Sequence, residues 1–228
     1  MEKHISLELN CRNCRKDNHF LQKVINQVYT EEWSFIRLDP VTLKDRSWLV
    51  KTPIDIEIDK NFIYSTISIP GLNLEKISIG SYARSENSIK FSVDFAEFSQ
   101  LQTPADKEKY AQRFLELAKK WYPVFKPEFG YIDISGFNTI TSKEINQCII
   151  KHLYWVNFFG PSYIKKYNKE FLLDIPAYKT EEIGDGIMVQ LSEKFTNKSG
   201  CPKFTELKKY MAQKKIDLKE YKPKLMYL

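Results

Sequence analysis

Apolar and polar positions alternate in short stretches through the N-terminal part of the chain. Ile5, Leu7 and Leu9 alternate with Ser6 and Glu8, which predicts a first strand. Asp17 or Asn18 can cap a helix that carries Phe20, Val24 and Val28 on one face and ends near Glu32. Residues 33–38, 62–69 and 77–82 read as strands, with Asp39-Pro40 closing the first and Pro70-Gly71 the second. Ile54, Ile56 and Ile58 alternate with Asp55, Glu57 and Asp59, as in an edge or connecting strand. Phe91, Val93 and Phe95 alternate with Ser92, Asp94 and Ala96. Closely spaced strands with short polar turns predict an antiparallel sheet.

Beyond Thr103 the period changes. Thr103-Pro104-Ala105-Asp106 is a helix start, and Tyr110, Phe114, Leu117, Ala118 and Trp121 fall on one face. Lys107, Lys109, Lys119 and Lys120 lie off that face, and Pro123 and Pro127 are expected to end the helix near Tyr122. Residues 129–134 read as a strand with Ile132 and Ile134 on one side and Tyr131 and Asp133 on the other. Ser142 is placed to cap a short helix reaching Cys148.

The stretch 153–195 organises the rest. An aromatic run ends at Gly160-Pro161, where Gly160 can cap a helix that has Pro161 at its first position. Ile164, Tyr167, Phe171 and Leu172 form one helical face, and Pro176 stops it. Gly184-Asp185-Gly186 is a turn. Ile187, Val189 and Leu191 then alternate with Met188, Gln190 and Ser192, the pattern of a half-buried strand. The order is strand, helix, turn, strand. After a turn at Asn197–Gly200, Pro202 opens a segment with Leu207, Tyr210 and Met211 on one face. The tail, residues 215–228, is expected to order only by docking Ile216, Leu218 or Leu225. The fold class that follows is α+β: an antiparallel or mixed sheet with helices packed on it, a single domain over residues 1–228.

Composition narrows the class. Of 228 residues, 43% are apolar, with 15 Phe, 13 Tyr and 4 Trp, enough for a sizeable core. No apolar run is long enough to span a bilayer. The N-terminal residues lack the apolar stretch of a signal peptide, so the expected place is the cytoplasm. Four cysteines in a chain of this length make no disulfide framework. The net charge of +6 is concentrated at the end, where residues 203–228 hold eight lysines against Glu206, Asp217 and Glu220. That reads as a solvated helix and tail; a basic tail on nucleic acid or on an acidic partner is the alternative. Elsewhere no basic stripe interleaved with aromatics supports nucleic acid.

Candidate chemistry is sparse. Cys11 and Cys14, with His4 and His19 near, resemble half a zinc site, but a closed site needs four ligands and Cys148 and Cys201 stand alone. The reading is two plain cysteines in a turn and no metal. Glu181, Glu182 and Asp185 crowd the Gly184 turn, as acid–base pairs or a solvated turn would; the solvated turn is the expectation. Asp94 and Asp133 are read as polar strand positions and His152 as hydrogen-bonded structure. No nucleophile, P-loop, zinc-protease or dinucleotide motif is present. No catalytic, cofactor or metal residue is assigned.

The residues Tyr154-Trp155-Val156-Asn157-Phe158-Phe159-Gly160-Pro161, then Tyr163-Ile164, Pro176-Ala177-Tyr178-Lys179 and Gly184-Asp185-Gly186-Ile187, resemble a bacterial family of immunity proteins of polymorphic-toxin and type VI secretion systems. Phe114 and Leu117 leading to Pro127, Gly130 and Tyr131 extend the likeness, which covers about residues 90–195. The resemblance implies a non-enzymatic protein that binds and neutralises a cognate toxin, with no active site to carry over. The rivals are a hydrolase or transferase with a pocket near the Gly160 or Gly184 turns, and a nucleic-acid binder using the lysine-rich tail.

Overall fold

The computed structural model describes residues 4–10, 34–39, 62–68, 77–82, 88–93, 103–135, 140–197 and 200–220. The expected helix after Asp17, the 54–58 strand, Cys11, Cys14, His19, Asp94, Phe95 and Leu225 lie outside the described residues. The strands are β1 (His4–Asn10), β2 (Ser34–Asp39), β3 (Phe62–Ser68), β4 (Ile77–Tyr82), β5 (Ser88–Val93), β6 (Phe129–Ser135), β7 (Val156–Phe159), β8 (Lys179–Ile183) and β9 (Gly186–Gln190). The helices are α1 (Pro104–Phe125), α2 (Ser142–Asn146), α3 (Pro161–Tyr167), α4 (Lys169–Leu173) and α5 (Phe204–Ala212).

The strands form one sheet in the order β2-β3-β4-β5-β1-β6-β7-β9-β8. Every pairing is antiparallel, so the open choice between antiparallel and mixed is settled. The first strand is central: β1 pairs with β5 on one side and with β6 on the other. It therefore joins the strands that precede α1 to those that follow it.

Residues opposite one another in register share a face. Leu9 pairs with Gly130, Gly130 with Phe158 and Phe158 with Met188, which makes one row. This face lies under α1, whose Tyr122 ring is 5.8 Å from that of Phe158. Phe129, Phe159 and Ile187 form a row on the other face. That row joins Tyr163, Tyr167, Phe171, Leu172, Leu207 and Met211 in one buried cluster. So β1, β6, β7 and β9 are covered on both faces. Each large side chain buried this way contributes about 1.5–3 kcal/mol.

This cover corrects the reading of β9. All five of its residues are buried, not every second one. Alternation of Ile and Val with Met and Gln suggested a wet face, but a helix layer lies on each side. The helix read across residues 161–172 is also two. Asn168, at φ 71°, breaks it, and its side chain accepts from Phe171 N at 2.7 Å to cap α4. The first long helix runs past its expected end, with Pro123 inside it. A proline costs most in a helix interior, where it removes a bond and crowds a carbonyl. Here only a partial turn remains. Lys126 at φ 44° then donates its N–H to Tyr122 O at 2.8 Å and closes the helix. The cap of α2 is Thr141 rather than Ser142: its hydroxyl accepts from Glu144 N while the Glu144 carboxylate accepts from Thr141 N.

Candidate functional site

Gly160, Gly184 and Gly186, from the stretch that carries the sequence resemblance, lie beside the end of α1. Gly160 N donates to Glu128 O at 2.8 Å, and a Cβ at Gly160 would lie 2.3 Å from Pro127 O. Glu128 accepts from Ser162 N at 3.2 Å, which ties the first turn of α3 to the start of β6. Gly186 faces Tyr122, and a Cβ there would stand 1.8 Å from the Tyr122 hydroxyl. That hydroxyl lies 3.4 Å from both Pro127 O and Phe159 O, two carbonyls that share its proton. Gly184, at φ 56°, makes the hairpin turn between β8 and β9. The space a pocket would need beside Gly160 and Gly186 is filled by the Tyr122 ring and by backbone.

The buried polar groups nearby serve the chain's own backbone. Asp133 accepts from Trp155 N at 2.8 Å. Asn157 accepts from Tyr154 N and donates to Tyr154 O, both at 2.9 Å. These bonds satisfy Tyr154 and the Trp155 N–H in the bent segment that leads into β7, while Trp155 O accepts from Leu191 N at 2.8 Å. Tyr154 stacks on Tyr131 with centroids 4.0 Å apart. Burial, with Glu8 and Asp133 next, pushes its hydroxyl far above the ordinary tyrosine range. The expectation of a plain polar strand position at Asp133 becomes a buried carboxylate, only 4% exposed, with a backbone partner.

One small cleft brings titratable groups together. Glu144, Lys151, His152 and Tyr154 line it with Phe129 and Ile140, in a volume of about 40 Å³. That is room for a few water molecules. The hydrogen bond from Thr141 N, followed by contact with Lys151 at 3.1 Å, holds Glu144 below the usual carboxylate range despite partial burial. His152 is half-buried, as a structural histidine would be. Its Nδ1 lies 3.2 Å from Lys219 O, so this nitrogen carries the proton and donates it. Burial holds its pKa below the ordinary value. Lys219 N donates to Lys151 O at 2.8 Å. The group thus clasps the C-terminal segment, whose Ile216 and Leu218 are buried as the docking expectation required.

Glu181 and Glu182 belong to β8, not to a loop around the turn. Glu181 lies 2.6 Å from both Lys119 and Lys179, and Glu182 lies 2.6 Å from Lys169. Burial pushes the Glu181 pKa up, and the two lysines bring it below the usual range. Asp185 alone stays in the turn, exposed. Cys148 is buried and Cys201 half-buried. Among the described residues no three His, Cys, Asp or Glu side chains gather as metal ligands would. Among the same residues no helix is long and apolar enough to cross a membrane.

No protein-family model and no curated protein matches the chain. A solved structure does. The T6SS protein PA0821 of Pseudomonas aeruginosa is similar in fold. The TM-score is 0.52 at 10% identity, over 94% of this chain and 77% of that one. At this identity the likeness establishes a common fold and transfers no residue roles.

Two features were not legible beforehand. Tyr122 lies beside the helical face picked out by Tyr110, Phe114 and Trp121, and its role shows only when Gly186 arrives opposite it. Glu108 was an ordinary helix carboxylate in the sequence. It accepts from Phe195 N at 3.1 Å and from Thr196 N at 3.0 Å, pinning that loop to α1.

Proposed function

We propose that this chain is an immunity-type protein, one that neutralises a cognate bacterial toxin by stoichiometric binding in the cytoplasm and performs no chemistry on it. The observation that carries this reading is the fold likeness to a T6SS protein across nearly the whole chain. It supports a resemblance drawn from motifs within about residues 90–195. The role those residues play in the fold is consistent with it: Gly160, Gly186 and Tyr122 lock α1, β6, β7 and β9 together and make a rigid body. A protein that blocks another needs a preorganised surface more than it needs reactive groups. A standard interface of about 1,600 Å² suffices.

The test is co-expression with the product of the adjacent gene, with protection scored against the molar ratio of the two proteins. Protection that saturates near one equivalent, with a complex recovered by pull-down, is the expected result. No complex and no rescue would overturn the reading. Rescue far below one equivalent, lost in Glu144→Gln or His152→Ala, would mark an enzyme acting at the small cleft instead.

A further inference from the structure

We propose that the outer edge of β8 is a homodimer interface, where a second copy of this chain adds its own β8 antiparallel and extends the sheet. The proposal goes beyond the neutralising-binder reading and does not depend on it. β8 lies at one end of the sheet and pairs with β9 alone among the described strands. Ile183 and Gly186 flank the two-residue turn of that hairpin, so Ile183, Glu181 and Lys179 exchange backbone bonds with β9. The N–H and C=O groups of Thr180 and Glu182 therefore point away from the sheet. The Thr180 side chain leaves them open: its hydroxyl donates to Leu173 O at 2.7 Å, on the α4 side.

Natural sheet edges are blunted by bulges, by projecting charges or by a covering segment. The opposite edge, β2, has such an irregularity: its register with β3 shifts between Phe35 and Arg37. β8 pairs without a shift. Its charges are drawn onto the two faces of the sheet rather than past the edge. Lys119 of α1 and Lys179 each lie 2.6 Å from Glu181 on one face, and Lys169 of α4 lies 2.6 Å from Glu182 on the other. Tyr178, where the chain enters the strand, is 51% exposed, one of two large apolar side chains left open among the described residues.

The sequence of the strand identifies what fits it. Two copies of one strand related by a two-fold axis pair antiparallel about a single residue, which faces itself. Centred on Lys179, Glu181 or Glu182, the pairing sets identical charges opposite one another, which is unfavourable. Centred on Ile183, it sets Glu181 opposite Asp185 of the second copy. Centred on Thr180, it sets Lys179 opposite Glu181 of the second copy, and symmetry repeats the match. Lys179-Thr180-Glu181 is thus complementary to itself when reversed. The Lys179–Glu181 match falls at a non-hydrogen-bonded pair, where facing side chains approach most closely. In this register the Thr180 residues exchange N–H and C=O, and each Glu182 N–H reaches Tyr178 O of the other copy. Tyr178 then lies opposite Glu182 of the second copy and loses its exposure. An edge this short buries less than the standard interface of about 1,600 Å², so the dimer is weak and concentration-dependent.

The experiment follows sedimentation of the full chain from low to high micromolar concentration, with Lys179→Glu, Glu181→Lys and an equimolar mixture of the two variants. Circular dichroism verifies folding. The wild type is expected to dimerise. Each variant alone should show a dissociation constant raised about tenfold or more, because like charges then face each other across the axis twice. The mixture should restore the dimer, since one variant carries acids at both positions and the other carries bases. Amide exchange of the wild type gives a second readout that stands even if a variant misfolds. Thr180 and Glu182 should exchange more slowly as concentration rises, while Glu181, whose N–H already bonds to β9, changes little. A wild type that stays monomeric, a dimer indifferent to both variants, a mixture that fails to associate, or unaltered exchange at Thr180 and Glu182 would each overturn the proposal. A monomeric wild type whose Thr180 and Glu182 amides slow only on addition of the adjacent gene's product would overturn it in favour of a strand supplied by that partner.

Discussion

A methyl group at residue 186 would need space that the Tyr122 hydroxyl already occupies. The Cβ would come within 2.7 Å of Phe159 O as well, so neither the ring nor the strand can easily yield. Gly186→Ala is expected to cost about 1–3 kcal/mol, read as a lower urea midpoint at unchanged slope. Asp133→Ala leaves Trp155 N buried without an acceptor and should cost about 1–3 kcal/mol by the same measurement. Glu108 makes a pH prediction. Burial pushes its pKa up, but bonds from Thr196, Gln112 and Phe195 outweigh burial and leave it below 4.5. The folded pKa is depressed, so its stabilisation is present above 4.5 and lost as pH falls through the lower folded value. Stability of Glu108→Gln should therefore fall less steeply than that of the wild type over that acid range.

At the scale of elements, α1 is the piece most exposed to a single loss. Phe114 is only 2% exposed in its contact face. Phe114→Ala should cost about 3–5 kcal/mol, checked by thermal or urea denaturation. The break between α3 and α4 gives a contrasting pair. Asn168 holds φ 71°, which suits glycine, and also caps Phe171 N. Asn168→Gly keeps the backbone and loses only the cap; Asn168→Ala loses the cap and adds strain. The alanine variant is expected to be the less stable of the two by about 1 kcal/mol or more. The periodicity of 161–172 showed which residues are buried, yet it could not show the break, because Asn at a capping position looks like any polar helix residue.

For the whole molecule, β1 has the decisive place. It pairs with β5 and β6 and leaves no seam between the strands before and after α1. One cooperative unfolding transition is expected, with the same midpoint by tryptophan fluorescence and far-ultraviolet circular dichroism. Two separated transitions would mean that the sheet divides at β1. Ending the chain at Lys215 removes the buried Ile216 and Leu218 and the clasp of Lys219 on Lys151 and His152. It should lower the midpoint and raise amide exchange first at residues 149–153.

By itself the sequence determined the local choices. Alternation placed β1, β-rich runs between turns placed β3 and β4, and the spacing of Tyr110, Phe114 and Trp121 placed the buried face of α1, because period and turn chemistry are local properties of the chain. It also showed the turn at Gly184 and the docking residues of the tail. Tertiary structure decided the rest. Lys179–Ile183 became a strand although its charges read as a solvated turn, since β9 offered an edge and lysines from α1 and α4 neutralised Glu181 and Glu182. The chain returned its first strand to the middle of the sheet, and Tyr122 met Gly186 across 64 positions. Such contacts depend on which segments meet in space, and neither propensity nor period along a single segment encodes that meeting.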